Sequence, residues 1–450
     1  MKTHNQWLMS MAIRPSDSHA MAPSVVPSST KAEAGETARI QARFHVFDDS
    51  VYSYEYDLAN RELAQLLDEE PLTSGLSNGT VLGMVDPSRV SHLARRLAYY
   101  DTIESNDQSI VTHQKQLSSV GGAIASSSGK AYMTHWIYPY KGKFHPQMIR
   151  ALLNIMGVKE GETVFDPMTG SGTVNVEAAL MGIDSIGMDI SPVGVLASQV
   201  KYDLLREAVA GPFAEAIPSS LQGKSAKNTL DIYHGEKSNE ESHYPKGPVG
   251  DALKLLDFEV MSICQLPGKD RGAIWAKLSR YYRGTAIKCP KMVRKLGIKL
   301  GKARISRGDA RKTGLPSDSL DGIICSPPYA IALDYVARNG AQLEELGHSV
   351  DDIYDVTIGL RGKKKDRVEN YYLDLEASIA EMHRVLRHGR FATVVIGDTR
   401  FDNKLLPTIK RAIDFGEKAG LNLTANMRKV SAGRFGLFRT ESMLLFQKPY

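Results

Sequence analysis

Thr163-Val164-Phe165-Asp166-Pro167-Met168-Thr169-Gly170-Ser171-Gly172-Thr173 leaves a strand and enters a helix. The apolar residues before Asp166 read as a buried strand. Val174-Asn175-Val176-Glu177-Ala178-Ala179-Leu180, after the glycines, reads as a helix that stops at Gly182. Gly170 and Gly172 let the backbone approach a ligand closely, and the helix start beyond them offers unpaired N–H groups to an anionic group. Upstream, Phe144 to Gly157 predicts a helix; downstream, Ser185 to Ile190 predicts a second strand. Helix, strand, glycine loop, helix and strand in close succession make one βαβ unit, so a parallel sheet is expected. Asp189 ends that second strand, about twenty residues after the loop, where a carboxylate can grip a ribose diol. The third glycine of a dinucleotide loop is missing, because Asn175 holds its place. That argues against a pyrophosphate and for a nucleoside cofactor without one.

A second motif lies far downstream. Ser326-Pro327-Pro328-Tyr329 follows the apolar run Gly322-Ile323-Ile324-Cys325. A buried strand that ends in two prolines puts them at the carboxyl edge of the sheet, where α/β proteins bind ligands. The prolines remove two backbone donors and stiffen the chain, so carbonyl oxygens can face a ligand. Ser326 adds a hydroxyl acceptor and Tyr329 a flat face for stacking. These parts suit an exocyclic amine, whose lone pair is delocalised into its ring. Two acceptors on its hydrogens pull the nitrogen towards a more nucleophilic, tetrahedral form. Cys325 belongs to the strand, so no cysteine nucleophile is expected.

The order of the two motifs resembles the DNA methyltransferases that methylate amino groups, cytosine N4 or adenine N6, from S-adenosylmethionine. The resemblance covers 131–202 and 301–450. It implies a Rossmann-like α/β methyltransferase domain with a mostly parallel sheet. Asp166, Pro167, Gly170, Ser171, Gly172 and Thr173 are similar to the family's cofactor loop, with Met168 where Phe is common. Asp189 matches the ribose-binding acid, and Asp309 is similar to the acid that contacts the cofactor's adenine. Lys141 and Phe144, in Tyr140-Lys141-Gly142-Lys143-Phe144-His145-Pro146, resemble the segment that folds over the methionine part. Ser326, Pro327, Pro328 and Tyr329 are the catalytic set this implies. Serine in the first place is typical of N4-cytosine enzymes, whereas N6-adenine enzymes usually carry Asp. Enzymes that methylate a guanine amine in tRNA use a similar proline motif, usually with an acid first and a glycine after the tyrosine; here Ala330 follows. N6-adenine methylation, the tRNA reaction and a non-catalytic DNA-binding module remain the alternatives. Double-stranded DNA is the expected partner, with a cognate restriction endonuclease conceivable beside it and a cytoplasmic, nucleoid-associated location.

The rest of the chain divides around this domain. Residues 1–37 are rich in Ser, Pro and Ala without hydrophobic period and read as a flexible tail. Its charges balance, Lys2, Arg14 and Lys31 against Asp17, Glu33 and Glu36, unlike a transit peptide. Residues 38–130 read as a small mixed module and linker, with a strand from Arg39 and helices over Asn60–Glu70 and Ser88–Ile103. Residues 203–300 interrupt the α/β pattern as an insertion, a candidate target-recognition region. Between Lys288 and Lys312 ten Lys and Arg face one acid, Asp309. Lys291, Arg294 and Lys295 are therefore candidate phosphate contacts, as are Lys363, Lys364 and Lys365 in the loop after the second motif. Charge runs are also ordinary solvated helix faces. The net charge of +5 over 450 residues permits a nucleic-acid partner without demanding one. Three cysteines cannot build a disulfide scaffold, and no metal site or membrane span is expected.

Overall fold

A computed structural model describes residues 39–47, 52–72, 79–106, 108–121, 131–140, 142–217, 244–328, 334–363, 366–401, 404–432 and 438–450. The tail 1–37, most of the Gly/Ser linker and the polar middle of the insertion lie outside the described residues.

The first strands, β1 (Ile40–Val46), β2 (Thr80–Val85), β3 (Tyr100–Ser105) and β4 (Gln108–Val111), form an antiparallel sheet in the order β2-β1-β3-β4. The chain between β1 and β4, for which the sequence suggested helices over Asn60–Glu70 and Ser88–Ile103, also supplies β2 and β3. Ser88–Ile103 instead splits into a short turn at Pro87–Arg89, helix Val90–Arg96 and β3. The break has a cause. The buried Glu62 carboxylate accepts from the N–H groups of Ala98 and Tyr99, so these donors cannot continue a helix. Arg96 points inward, donating to Asn154 Oδ1 and the Val158 carbonyl, and does not face a ligand.

The main sheet is built from β5 (Thr163–Asp166), β6 (Asp184–Asp189), β7 (Ala303–Arg307), β8 (Leu320–Cys325) and β9 (Leu386–Ile396). A small separate hairpin, β10 (Thr399–Phe401) with β11 (Lys404–Leu406), precedes β12 (Asn422–Ala432) and β13 (Phe438–Gln447). The order is β12-β13-β9-β8-β5-β6-β7. β7, β6, β5, β8 and β9 run parallel; β13 is antiparallel to β9 and to β12. The strands expected before Asp166, over Ser185 to Ile190 and over Gly322 to Cys325 are β5, β6 and β8 of this sheet.

Each face of the sheet has its own core. Ile324, Val395, Met427 and Met443 pack with helix Pro146–Ile155 and, beyond it, helix Ser53–Leu67 of the N-terminal module. Ile323, Val394, Ile396 and Leu444 pack on the other side with helix Arg367–Val385. Helices on both faces bury both sides of β5, β6 and β8, whereas β7 at the sheet edge stays partly exposed. The described part of the insertion is helical, Glu207–Ala216, Pro248–Cys264 and Arg271–Lys295, around Phe213, Phe258, Trp275 and Tyr282.

Candidate active site

The chain leaves β5 towards β6 on one side, while β8 lies on the other. That reversal of strand order opens a crevice at the carboxyl ends of β5 and β8. Both sequence motifs fall there. They line one cavity of about 680 Å³, together with Phe144, Asp189 and Asp309. Of the expected residues, Pro167, Gly170, Ser171, Thr173, Ser326, Pro327 and Pro328 all border it. Asp166 and Gly172 sit beneath. Lys141, Tyr329, Lys364 and Lys365 lie outside the described residues.

The glycine loop is held from below. Gly170 has a φ of +51°, and a Cβ there would stand 3.0 Å from Tyr140 Cε1. Gly172, at φ +77°, would place a Cβ 2.8 Å from Ser198 Cα, so the loop and helix Pro192–Asp203 touch backbone to backbone. Asp189 fixes the loop's path: Gly170 N donates to its Oδ2 at 2.7 Å and Ser191 N to its Oδ1 at 2.8 Å. Each carboxylate oxygen keeps a further lone pair that can face the cavity. Burial raises the Asp189 pKa despite these donors. Burial also drives Asp166 well up, with the Asp189 charge adding to it, and Asp166 accepts only from Met168 N within its own turn. Asn175 is the residue that sequence reading valued least. Its Oδ1 accepts from Thr169 Oγ1 at 2.5 Å and its Nδ2 donates to Ser185 Oγ, tying the loop to β6.

Asp309, after β7, is clamped by Arg311, whose guanidinium donates to both its oxygens while also reaching Asp374. Burial would raise the Asp309 pKa, but the Arg311 hydrogen bonds outweigh it and hold the carboxyl below its usual range. At the other motif, Ser326 Oγ donates to the Val395 carbonyl at 3.1 Å. The hydroxyl proton is thereby turned into the sheet, leaving the oxygen's lone pairs for the cavity. Cys325 is fully buried in β8, and burial pushes its thiol well up, away from nucleophilic thiolate. Two residues that sequence reading missed also line the cavity: Lys429 on β12 and Glu441 on β13.

The basic stretch is placed elsewhere. Lys302 N donates to Asp184 Oδ1, and Ser185 N donates to the Lys302 carbonyl. Helix Arg271–Lys295 therefore ends beside the amino ends of β6 and β7. Lys291, Arg294 and Lys295 are exposed there, about the length of a strand, roughly 17–20 Å, from the carboxyl edge that carries the cavity. The structure does not bring them to the site. Lys363 is exposed and follows Thr357 and Ile358, which do line the cavity.

Does this crevice fit a nucleoside cofactor? Ser171 Oγ is buried at the cavity wall with no hydrogen-bond partner among the described residues, an unmet polar group of the kind a ligand satisfies. Gly194 and Gly308 keep neighbouring walls thin, since a Cβ on Gly308 would strike the Met188 sulfur at 2.4 Å. Residues 137–211 match the RMKL-like methyltransferase domain family. These residues, the glycine loop and Asp189 among them, form a domain similar to S-adenosylmethionine-dependent methyltransferases. This domain is similar to the Type II methyltransferase M.MjaII of Methanocaldococcus jannaschii, 42% identical over 18% of this chain and 16% of that protein. It is similar as well to the Type II methyltransferase M.BsoBI of Geobacillus stearothermophilus, 39% identical over 15% of this chain and 13% of that protein. The tRNA (guanine(10)-N2)-dimethyltransferase of Methanothermobacter thermautotrophicus matches at 41% over 11% of this chain and 15% of its own. The chain thus spans about a sixth or less of each relative's length. Among the described residues no helix is long and apolar enough to cross a membrane, and no cluster of His, Cys, Asp and Glu could hold a metal ion.

Proposed function

We propose that this protein methylates the N4 amine of cytosine in double-stranded DNA, with the base turned out of the helix into the cavity. The Ser326 hydroxyl carries the reading. Its proton is committed to the Val395 carbonyl, so it faces the cavity as a neutral acceptor. Ser326 Oγ and the Pro327 carbonyl each accept one hydrogen of the target amine, and Tyr329 stacks on the ring. A carboxylate in the first position would meet the N3 and O2 acceptors of cytosine with repulsion; a hydroxyl does not.

Asp189 receives the ribose hydroxyls through its remaining lone pairs, and Gly170, Ser171, Gly172 and Thr173 form the floor. Asp166 supports that floor with Pro167, Asp309 borders the adenine, and Lys141 and Phe144 cover the methionine part. S-adenosylmethionine, when bound, supplies the methyl group, activated by its positive sulfur. The chain's own contribution is to hold the amine nitrogen in line and to keep water out, which is proximity and orientation. Lys363, Lys364 and Lys365 contact DNA phosphates. A cognate restriction endonuclease and a nucleoid location belong to the same proposal.

The similarity to a tRNA guanine-N2 enzyme favours a second reading, transfer to a guanine amine in RNA by the same machinery. Mass spectrometry of nucleosides from DNA and tRNA of a host expressing the protein separates the two. N4-methylcytosine in DNA is expected. N6-methyladenine alone, or N2-methylguanine confined to tRNA, refutes the cytosine assignment.

A further inference from the structure

The far wall of the cavity carries an ion pair that neither motif contains. β9 pairs with β13 so that Val395 lies opposite Met443. β13 pairs with β12 so that Met443 lies opposite Met427 and Glu441 opposite Lys429. Opposed residues, and residues two apart, share a face. Val395, Met443, Glu441 and Lys429 therefore lie on one face. Glu441 sits one step of the ladder beyond the end of β9, on the carboxyl-edge side. By strand spacing and rise, its Cα is about 8 Å from that of Val395. Val395 is the residue whose carbonyl orients Ser326. The pair thus lines the same cavity as Ser326, on the sheet face that Val395 shares.

Its chemistry is specific. Lys429 Nζ donates to Glu441 Oε2 at 2.5 Å, and the side chains are 12% and 19% exposed. Glu441 takes one of three ammonium protons, and the other two have no partner among the described residues. Burial lowers the Lys429 pKa to about 8, countered only by the Glu55 charge, and raises that of Glu441. A largely buried ammonium in a ligand cavity with two open donors is a costly arrangement for packing alone.

We propose that Lys429 is the specificity-determining residue of the acceptor subsite, donating from its ammonium to the N3 and O2 acceptors of the flipped cytosine, with Glu441 holding that ammonium in place. The inference rests on the cytosine reading above and names what selects the base. Ser326 and the Pro327 carbonyl hold the amine; Lys429 reads the ring beside it. Guanine presents N1–H next to its amine, a donor facing a donor, and is rejected. Adenine presents one ring acceptor there and a C–H where cytosine has O2, so it gains less.

The test uses full-length protein, unmodified plasmid DNA and radiolabel-free nucleoside mass spectrometry, with calorimetric S-adenosylmethionine binding and thermal unfolding measured on the same samples. For Lys429→Met, the KM for DNA should rise or the rate of N4-methylcytosine formation fall by ten-fold or more. S-adenosylmethionine affinity should stay within about two-fold of the parent, since no cofactor role is assigned to Lys429. Lys429→Arg, which keeps the charge, should restore most of the lost rate, whereas a lysine that only pairs with Glu441 would leave the product ratio unmoved in every variant. The ratio of N6-methyladenine to N4-methylcytosine should also increase in Lys429→Met. Should that variant misfold, Glu441→Gln gives the same reading in weaker form, as it loosens the ammonium without removing it. Parental kinetics and product ratio in a folded Lys429→Met overturn the inference alone. A parent that makes no N4-methylcytosine overturns the reading on which it rests.

Discussion

Replacing Ser326 by alanine removes one oxygen, and its consequences divide cleanly between stability and turnover. In the ground state the hydroxyl makes one neutral hydrogen bond, to the Val395 carbonyl. Losing it costs about 0.5–1.5 kcal/mol, at the lower end because the residue is only half-buried. The fold and the S-adenosylmethionine contacts should survive, since the hydrogen bonds that hold the glycine loop run to Asp189 and not to Ser326. In the transition state the same oxygen accepts from an amine that is gaining positive charge. One such acceptor is worth about 1.4–4 kcal/mol, so turnover should fall about ten- to a thousand-fold. Single-turnover methylation of plasmid DNA, read by nucleoside mass spectrometry, measures it. Ser326→Asp is the sharper companion. An aspartate carboxylate has no proton for the Val395 carbonyl and sets two acceptors face to face, so it should be no more active on cytosine than Ser326→Ala. A Ser326→Ala enzyme with the parental single-turnover rate would refute the role, leaving the Pro327 carbonyl to hold the amine alone.

Asp189→Ala removes the acceptor of Gly170 N and Ser191 N as well as the ribose contact, so S-adenosylmethionine binding should weaken by ten-fold or more, from the loss of at least one charge-assisted bond of about 1.5–3 kcal/mol; calorimetry showing unchanged affinity would take Asp189 out of the site. Reversing Lys291, Arg294 and Lys295 to glutamate should change the salt slope of DNA binding by less than the roughly 0.9 expected for a single phosphate contact, because they stand at the amino edge; a drop of two or more would show that DNA reaches round to that edge. Burial raises the Glu62 pKa from 4.5 to about 7. Its protonated form is favoured by folding, so its contribution is present below 4.5 and lost as pH rises through about 7. The urea midpoint of Glu62→Gln should therefore gain on the parent across that window, and a constant difference would contradict the shift.

What could be read from the amino-acid sequence follows the range over which each feature acts. The glycine loop and Ser326-Pro327-Pro328 are local: a strand, a turn and a helix start in consecutive residues impose their own residue types. The topology of the parallel strands follows, since short βαβ connections leave few arrangements. Ser198, which demands Gly172, and Val395, which turns the Ser326 proton, act from other elements. Val395 does so through a backbone carbonyl, which leaves no trace in residue type. The long helix expected over Ser88–Ile103 failed because a distant carboxylate, Glu62, captured the donors of Ala98 and Tyr99.

Lys429 and Glu441 fall between these cases. Glu441, Met443 and Leu445 alternate along one strand, and Met427 and Lys429 along another, so period two alone places both charges in step with core residues. A charge in a buried register is a readable anomaly, and it asks for a partner. Which partner it finds depends on the pairing of β12 with β13 and on packing against helix Ser53–Leu67. Had the register slipped by one residue, every side chain would change face and the two charges would no longer share the cavity. The pair is therefore a product of the fold. Its place in the cavity that Ser326 lines follows from the same ladder that puts Met443 against Val395, which ties base selection to the packing of the sheet.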